Sequence, residues 1–253
     1  HWKIGYDETR YFEASVTVPD FMEDKKVYLT IDFGGEALIR INGEIVGAVS
    51  SRTNSGWVHR TEILFDKPLK AGQVLNIQVE NAVDSGGFCD TAMAGGTYME
   101  YTLNAAKFSV INRETESFWY DMNGAFDVFE CSEEKYTAER LYICIDKAMH
   151  MLDFDFGKEQ FYASVPAAQE YFREAIKEIP SASPGEVFLC GHSHLDVAWL
   201  WTVREINRKT ARTFSNNLSL MRNYPDFKFT QSQAILYDFM KKAYPDIFEQ
   251  VKD

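Results

Sequence analysis

Long apolar runs are missing from this chain. No stretch approaches the ~18 residues of a membrane-crossing helix, and no charged-then-apolar leader stands at the front, so a soluble protein without a membrane partner is expected. Cysteine is scarce. Cys89, Cys131, Cys144 and Cys190 are the four in 253 residues, and none has the paired spacing of a metal finger. Free thiols in a reducing, cytoplasmic compartment are the simpler expectation. Basic charge is also short, with 26 Lys and Arg against 38 Asp and Glu and a net charge of -12. Such a surface repels nucleic-acid backbones and anionic bilayers, which argues against both as partners and leaves a neutral ligand such as a sugar unaffected. A hydrophobic share of 45% excludes a disordered chain and supplies a real core. The chain opens on His1 and stops at Asp253 within a charged, helix-like segment, so a piece of a longer protein is expected.

What is present begins with β structure. Residues 1–111 carry short alternating or β-branched runs: Phe12 to Val18, Lys26 to Phe33, Ala37 to Ile41, Glu44 to Val46, Trp57 to Phe65, Val74 to Val79 and Tyr98 to Ile111. Asn42-Gly43 closes a two-residue hairpin, because both positions tolerate positive φ. The pattern predicts an antiparallel β-sandwich, jelly-roll-like, of the kind that accompanies many glycosidases. If this module binds carbohydrate, Trp57 and His59 on one strand face are the candidate contacts, although core packing explains Trp57 equally well and a sandwich does not define a role.

From about Glu114 the apolar period changes from two to 3.6, so residues 112–183 predict a helical connector. Leu141, Cys144, Ile145, Ala148 and Leu152 share one helix face, and Phe161, Val165, Ala168, Tyr171, Phe172 and Ile176 share another. Glu178 to Gly185, with two prolines and a glycine, breaks helix and marks a boundary. Residues 184–253 then read as the first β/α units of a parallel β/α barrel, truncated. Glu186 to Cys190 predicts a strand buried on both faces, Glu205 to Tyr224 a helix, Phe227 to Thr230 a second strand, and Gln231 to Met240 the next helix. The basic residues Arg204, Arg208, Lys209 and Arg212 are expected on a solvated helix face.

The chemistry concentrates in Gly191-His-Ser-His-Leu-Asp-Val-Ala-Trp-Leu-Trp201, between the first of these strands and a helix opened by the capping pattern Thr202-Val-Arg-Glu205. The carboxyl edge of parallel strands is where catalytic groups gather. His194 and Asp196, two apart, leave an extended chain on one side, with His192 in phase. Imidazole and carboxylate are ligands for first-row metals, zinc most commonly. On spacing alone His-x-Asp is more often a plain hydrogen-bonded pair. Trp199 and Trp201 close behind add aromatic faces on which a pyranose can stack, and core packing is preferred for Trp201.

This stretch, with Glu205, Arg208-Lys-Thr-Ala-Arg-Thr-Phe214, Tyr224-Pro-Asp-Phe227, Ser232-Gln233, Tyr244-Pro245 and Phe248, resembles the start of the catalytic domain of the family 38 glycoside hydrolases, the α-mannosidases. The order of sandwich then helices resembles the cytosolic and bacterial branch. The resemblance implies a retaining exo-α-mannosidase with one zinc, acting on α-mannoside oligosaccharides. By position His194 and Asp196 would be zinc ligands, Trp199 the ring under the mannose, and His192 a neighbour. It places the nucleophile, the acid/base and the remaining ligands beyond Asp253, so no catalytic residue is assigned here. Thr202 stands where relatives often have proline, and both residues suit a helix start. A metallo-β-lactamase-type hydrolase would need a histidine directly after the aspartate, where Val197 stands. A non-catalytic carbohydrate-binding protein is the other alternative. A homo-oligomer is compatible with the sequence but not specified by it.

Overall fold

The computed structural model describes residues 1–5, 8–51, 60–65, 67–82, 98–180, 185–199 and 201–253. Trp57, His59 and Cys89 lie outside them. The chain divides into two compact units, one of residues 1–110 with 188–253 and one of residues 111–187.

The first unit is built on two antiparallel sheets. One runs β2 (Thr9–Thr17), β7 (Val74–Ala82), β4 (Glu36–Ile41), β5 (Glu44–Ser50); the other runs β6 (Glu62–Leu64), β3 (Val27–Asp32), β9 (Ala105–Val110). Their inner faces share one core. Leu75, Ile77 and Val79 point inward from β7 while Val74, Asn76 and Gln78 point out, and Leu29, Ile31 and Ile63 meet them from the other sheet. This is the alternation that a half-buried antiparallel strand requires. Asn42 and Gly43 both take positive φ, 51° and 85°, and close the β4–β5 hairpin with Ile41 opposite Glu44. A third ribbon pairs β1 (Trp2–Gly5) with β8 (Tyr98–Tyr101). The run Tyr98 to Ile111 is therefore not one strand: it breaks at residues 102–104, and β8 and β9 serve different sheets.

β4 departs from simple alternation, being buried at Ala37, Leu38, Ile39 and Ile41 alike. Ala37, Ile39 and Ile41 face the opposite sheet, whereas Leu38, with Ile45 and Ala48 of β5, faces a helical layer. That layer is α4 (Val203–Asn223), α5 (Ala234–Ala243) and α6 (Pro245–Lys252), labels α1 to α3 belonging to the second unit below. Ile206, Phe214, Leu236, Met240 and Ile247 complete this second core. β10 (Gly191–His192) and β11 (Phe229–Thr230) pair parallel, on either side of α4 in sequence.

Of the basic residues expected on a solvated face of α4, Arg204 is exposed, whereas Arg208, Lys209 and Arg212 turn to buried carboxylates. Arg212 is 4% exposed. Its Nε donates to Glu36 Oε2 at 3.2 Å and its Nη2 to Glu205 Oε1 at 2.5 Å. Lys209 Nζ reaches Glu36 Oε1 at 2.5 Å, and Arg208 Nε donates to Glu205 Oε2 at 3.0 Å. Burial alone would lower the Arg212 pKa, but Glu205 and Glu36 outweigh it and hold the guanidinium above its ordinary range. Next to it, Tyr244 Oη donates to Glu80 at 2.9 Å, and burial, then the Glu80 charge, push that phenol well above its usual value. Asn216 Oδ1 accepts the Ala48 N–H at 2.9 Å, satisfying a donor on the edge strand β5. For these three residues the solvated reading fails, because a helix stripe of Arg and Lys looks the same in sequence whether water or buried carboxylates face it.

Nor do residues 186–190 form a buried strand. Val187, Phe188 and Leu189 are 83%, 89% and 84% exposed, Cys190 is exposed, and the parallel ladder starts only at Gly191. The run is apolar enough for a two-faced strand, but burial needs layers on both sides, and the described residues supply none there.

The second unit holds α1 (Arg113–Cys131), α2 (Lys135–His150) and α3 (Lys158–Ala175). They share a core of Phe118, Met122, Leu141, Cys144, Ile145, Val165, Ala168 and Phe172. Asn112 Oδ1 caps α1 by accepting Thr115 N–H at 2.9 Å, and the Glu134 carboxylate caps α2 by accepting Tyr136 and Thr137 N–H. In α1, Phe118, Met122, Ala125 and Phe129 recur at helical spacing and form its contribution to this core.

Candidate functional site

After β10 the chain continues through His194, Leu195 and Asp196, with burial switching from one residue to the next. Leu195 is buried in the core beneath α4, so His194 and Asp196 on either side of it are turned outward. His194 Nε2 lies 3.2 Å from Asp196 Oδ1, with side chains 84% and 47% exposed. His192, on β10, is exposed and lies outside this pair.

Three contacts fix the segment. Gly191 N–H donates to Lys228 O at 2.8 Å where β10 meets β11. Gln231, buried just after β11, donates from Nε2 to Ser193 O at 2.7 Å, and its own carbonyl accepts the Tyr237 hydroxyl at 2.7 Å. The Trp201 indole N–H donates to Asp196 O at 3.1 Å. Beyond Asp196 the chain turns through Ala198, at φ +60°, a left-handed conformation uncommon without glycine. Thr202 Oγ1 then accepts Glu205 N–H at 3.2 Å and starts α4. The Glu205 carboxylate is committed to Arg208 and Arg212.

Trp199 is 63% exposed and stands edge-to-face on Trp201, with ring centroids 5.3 Å apart at 87°. Trp201 is partly buried against Ile4, beside Trp2, Met99 and Tyr101. An exposed ring, an imidazole and a carboxylate thus sit within one short turn. For Gln231 the sequence offers one signal, its place after β11 matching that of the motif after β10, and for the indole bond of Trp201 it offers none.

With bonds of about 2.0–2.1 Å, two ligand atoms of a tetrahedral zinc stand roughly 3.3 Å apart. The 3.2 Å between His194 Nε2 and Asp196 Oδ1 suits two such donors, one nitrogen and one oxygen. Among the described residues no group of three or more His, Cys, Asp or Glu converges for a metal.

Residues 184–253 match the glycosyl hydrolases family 38 N-terminal domain. Over 99% of its length the chain is 26% identical to α-mannosidase G of Dictyostelium discoideum, and over 97% it is 26% identical to α-mannosidase 2C1 of Mus musculus. A Saccharomyces cerevisiae α-mannosidase is 33% identical over 89 residues, which cover 33% of this chain and 8% of that protein. The chain spans 23% of the length of the first two relatives. A solved β-glucosidase of Kluyveromyces marxianus, 17% identical, covers 46% of this chain and 12% of its own at a TM-score of 0.26, too low to carry an argument.

Proposed function

We propose that this chain, which resembles an N-terminal portion of family 38 α-mannosidases along nearly its whole length, supplies half of a zinc shell and one wall of the sugar site in a retaining exo-α-mannosidase. The observation that carries the reading is the convergence of His194 Nε2 and Asp196 Oδ1 at the end of a parallel strand, inside the segment that matches the family. His194 and Asp196 would hold the zinc. When bound, the metal supplies a Lewis acid for the cis hydroxyls at C2 and C3 of mannose and favours an oxocarbenium-like ring. Trp199 offers its exposed face to the apolar side of that ring. The carboxylate nucleophile and the acid/base belong to residues outside this chain. β10 and β11, with α4 between them, fit the first units of a β/α barrel, and the two sheets fit a jelly-roll-like sandwich. Because helices cover the outer face of β4 and β5, we read that sandwich as scaffold rather than lectin. The substrate is an α-mannosyl oligosaccharide, and the compartment is cytoplasmic.

Hydrolysis of an aryl α-mannoside by the full-length protein, lost with a chelator and restored by zinc, tests this reading; activity indifferent to chelation would overturn the metal's role. Trp199→Ala should lower kcat/KM roughly tenfold to a hundredfold while zinc stays bound, since a stacking ring acts through the sugar at about 1–3 kcal/mol. An unchanged kcat/KM would make Trp199 a packing residue. The isolated 253-residue chain should not hydrolyse mannosides and should bind zinc weakly, because two donors do not complete a shell. Turnover by that chain, absent from a mock preparation, would place the missing groups within it.

A further inference from the structure

We infer that Trp201 is a positioning residue of this site, holding the Asp196 backbone with its indole N–H and the Trp199 ring with its own ring. The inference rests on the roles proposed above for His194, Asp196 and Trp199. The geometry is specific to this one side chain. Its Nε1 donates to Asp196 O at 3.1 Å, and its ring meets Trp199 edge-to-face at 5.3 Å and 87°. Its remaining surface packs on Ile4, beside Trp2, Met99 and Tyr101 of the β1–β8 ribbon. It also borders the core beneath α4, where Leu195 is buried between the two donors.

The physical need is plain. His194 is exposed and Asp196 half-buried, both follow a two-residue strand, and Ala198 takes a left-handed conformation. Donors on such a segment would lose much of their affinity to disorder unless the backbone were held. Outer contacts that orient a ligand residue typically change metal affinity or activity 10–100-fold. Trp201 supplies one such contact at the carbonyl of Asp196. The same side chain ties the site to the sandwich, so the ribbon of β1 and β8 reaches metal and sugar through one residue.

The test uses the full-length protein. Trp201→Phe keeps a ring against Trp199 while removing the N–H donor and part of the indole volume. Zinc affinity, measured by chelator competition, should fall about 10–100-fold, and excess zinc should restore kcat/KM. Trp201→Ala removes the ring as well, so KM should remain raised at saturating zinc. Leu75→Ala, in the inter-sheet core, provides a variant that loses stability elsewhere and should bind zinc normally. If Trp201→Phe does not fold, Trp201→Met, flexible enough to adapt to the gap and without a donor, replaces it. Wild-type zinc affinity in the Phe or Met variant, or equal weakening in Leu75→Ala, would overturn the backbone role, and a normal KM in Trp201→Ala at saturating zinc would overturn the Trp199 role. His194→Ala separates the two failures: zinc retained there sinks the ligand assignment itself, whereas zinc lost there with Trp201→Phe unaffected sinks only this inference.

Discussion

Arg212→Ala should destabilise the unit of residues 1–110 and 188–253 by about 3–5 kcal/mol, the usual cost of removing one partner from a buried ion pair. Arg212 is enclosed between Glu36 of β4 and Glu205 of α4, and its loss leaves two buried carboxylates without their shared cation. The lower end of that range is expected, because Lys209 still reaches Glu36 and Arg208 still reaches Glu205. Arg40→Ala is the comparison. Arg40 pairs with Asp246 at 3.1 Å across the same sheet–helix layer, but both side chains are partly exposed, so about 0–1 kcal/mol is expected. Denaturant unfolding of the two variants checks the difference. Equal losses would mean that water reaches Arg212 as freely as Arg40, and that α4 is not locked to the sheet by this network.

That network also marks where sequence reasoning stopped. Asn42-Gly43, the period of Leu75, Ile77 and Val79, and the Thr202 cap are local signals, and each appears in the structure as its residues dictate. The opposite-face burial of Leu38 was legible in principle, since Ala37, Leu38, Ile39 and Ile41 are apolar on both faces of a short strand. Glu36 and Arg212 are 176 residues apart, and no periodicity announces their pairing. Val187, Phe188 and Leu189 show the opposite limit: a run with the composition of a core strand stays exposed, because burial belongs to neighbours and not to the run. At the site, the two-residue spacing led to His194 and Asp196, whereas the indole bond from Trp201 to Asp196 O depends on a turn that composition does not specify.

In the full-length protein, His194→Ala and Asp196→Ala should each abolish mannoside hydrolysis, with losses well beyond those of Trp199→Ala, while Ser193→Ala should leave it near wild type. The Ser193 contact identified here is made by its backbone carbonyl, which accepts from Gln231 and survives removal of the hydroxyl. On the proposed reading His194 and Asp196 would contribute two convergent side-chain donors, and a shell with one donor gone would bind zinc poorly and present the sugar hydroxyls to a misplaced ion. Neither side chain belongs to a hydrophobic core, which keeps the fold out of the argument: His194 is exposed and Asp196 half-buried. Unfolding midpoints of the two variants should therefore match the parent when all are compared without metal.

The most direct measurement is the zinc content of purified full-length His194→Ala beside that of the parent, after both are dialysed against the same trace of free zinc. The parent should carry one zinc per chain, and the variant should have lost most of it while remaining folded. One zinc retained per chain in the variant would contradict the assignment of His194 as a ligand, and with it the proposal that the turn after β10 is part of the metal site.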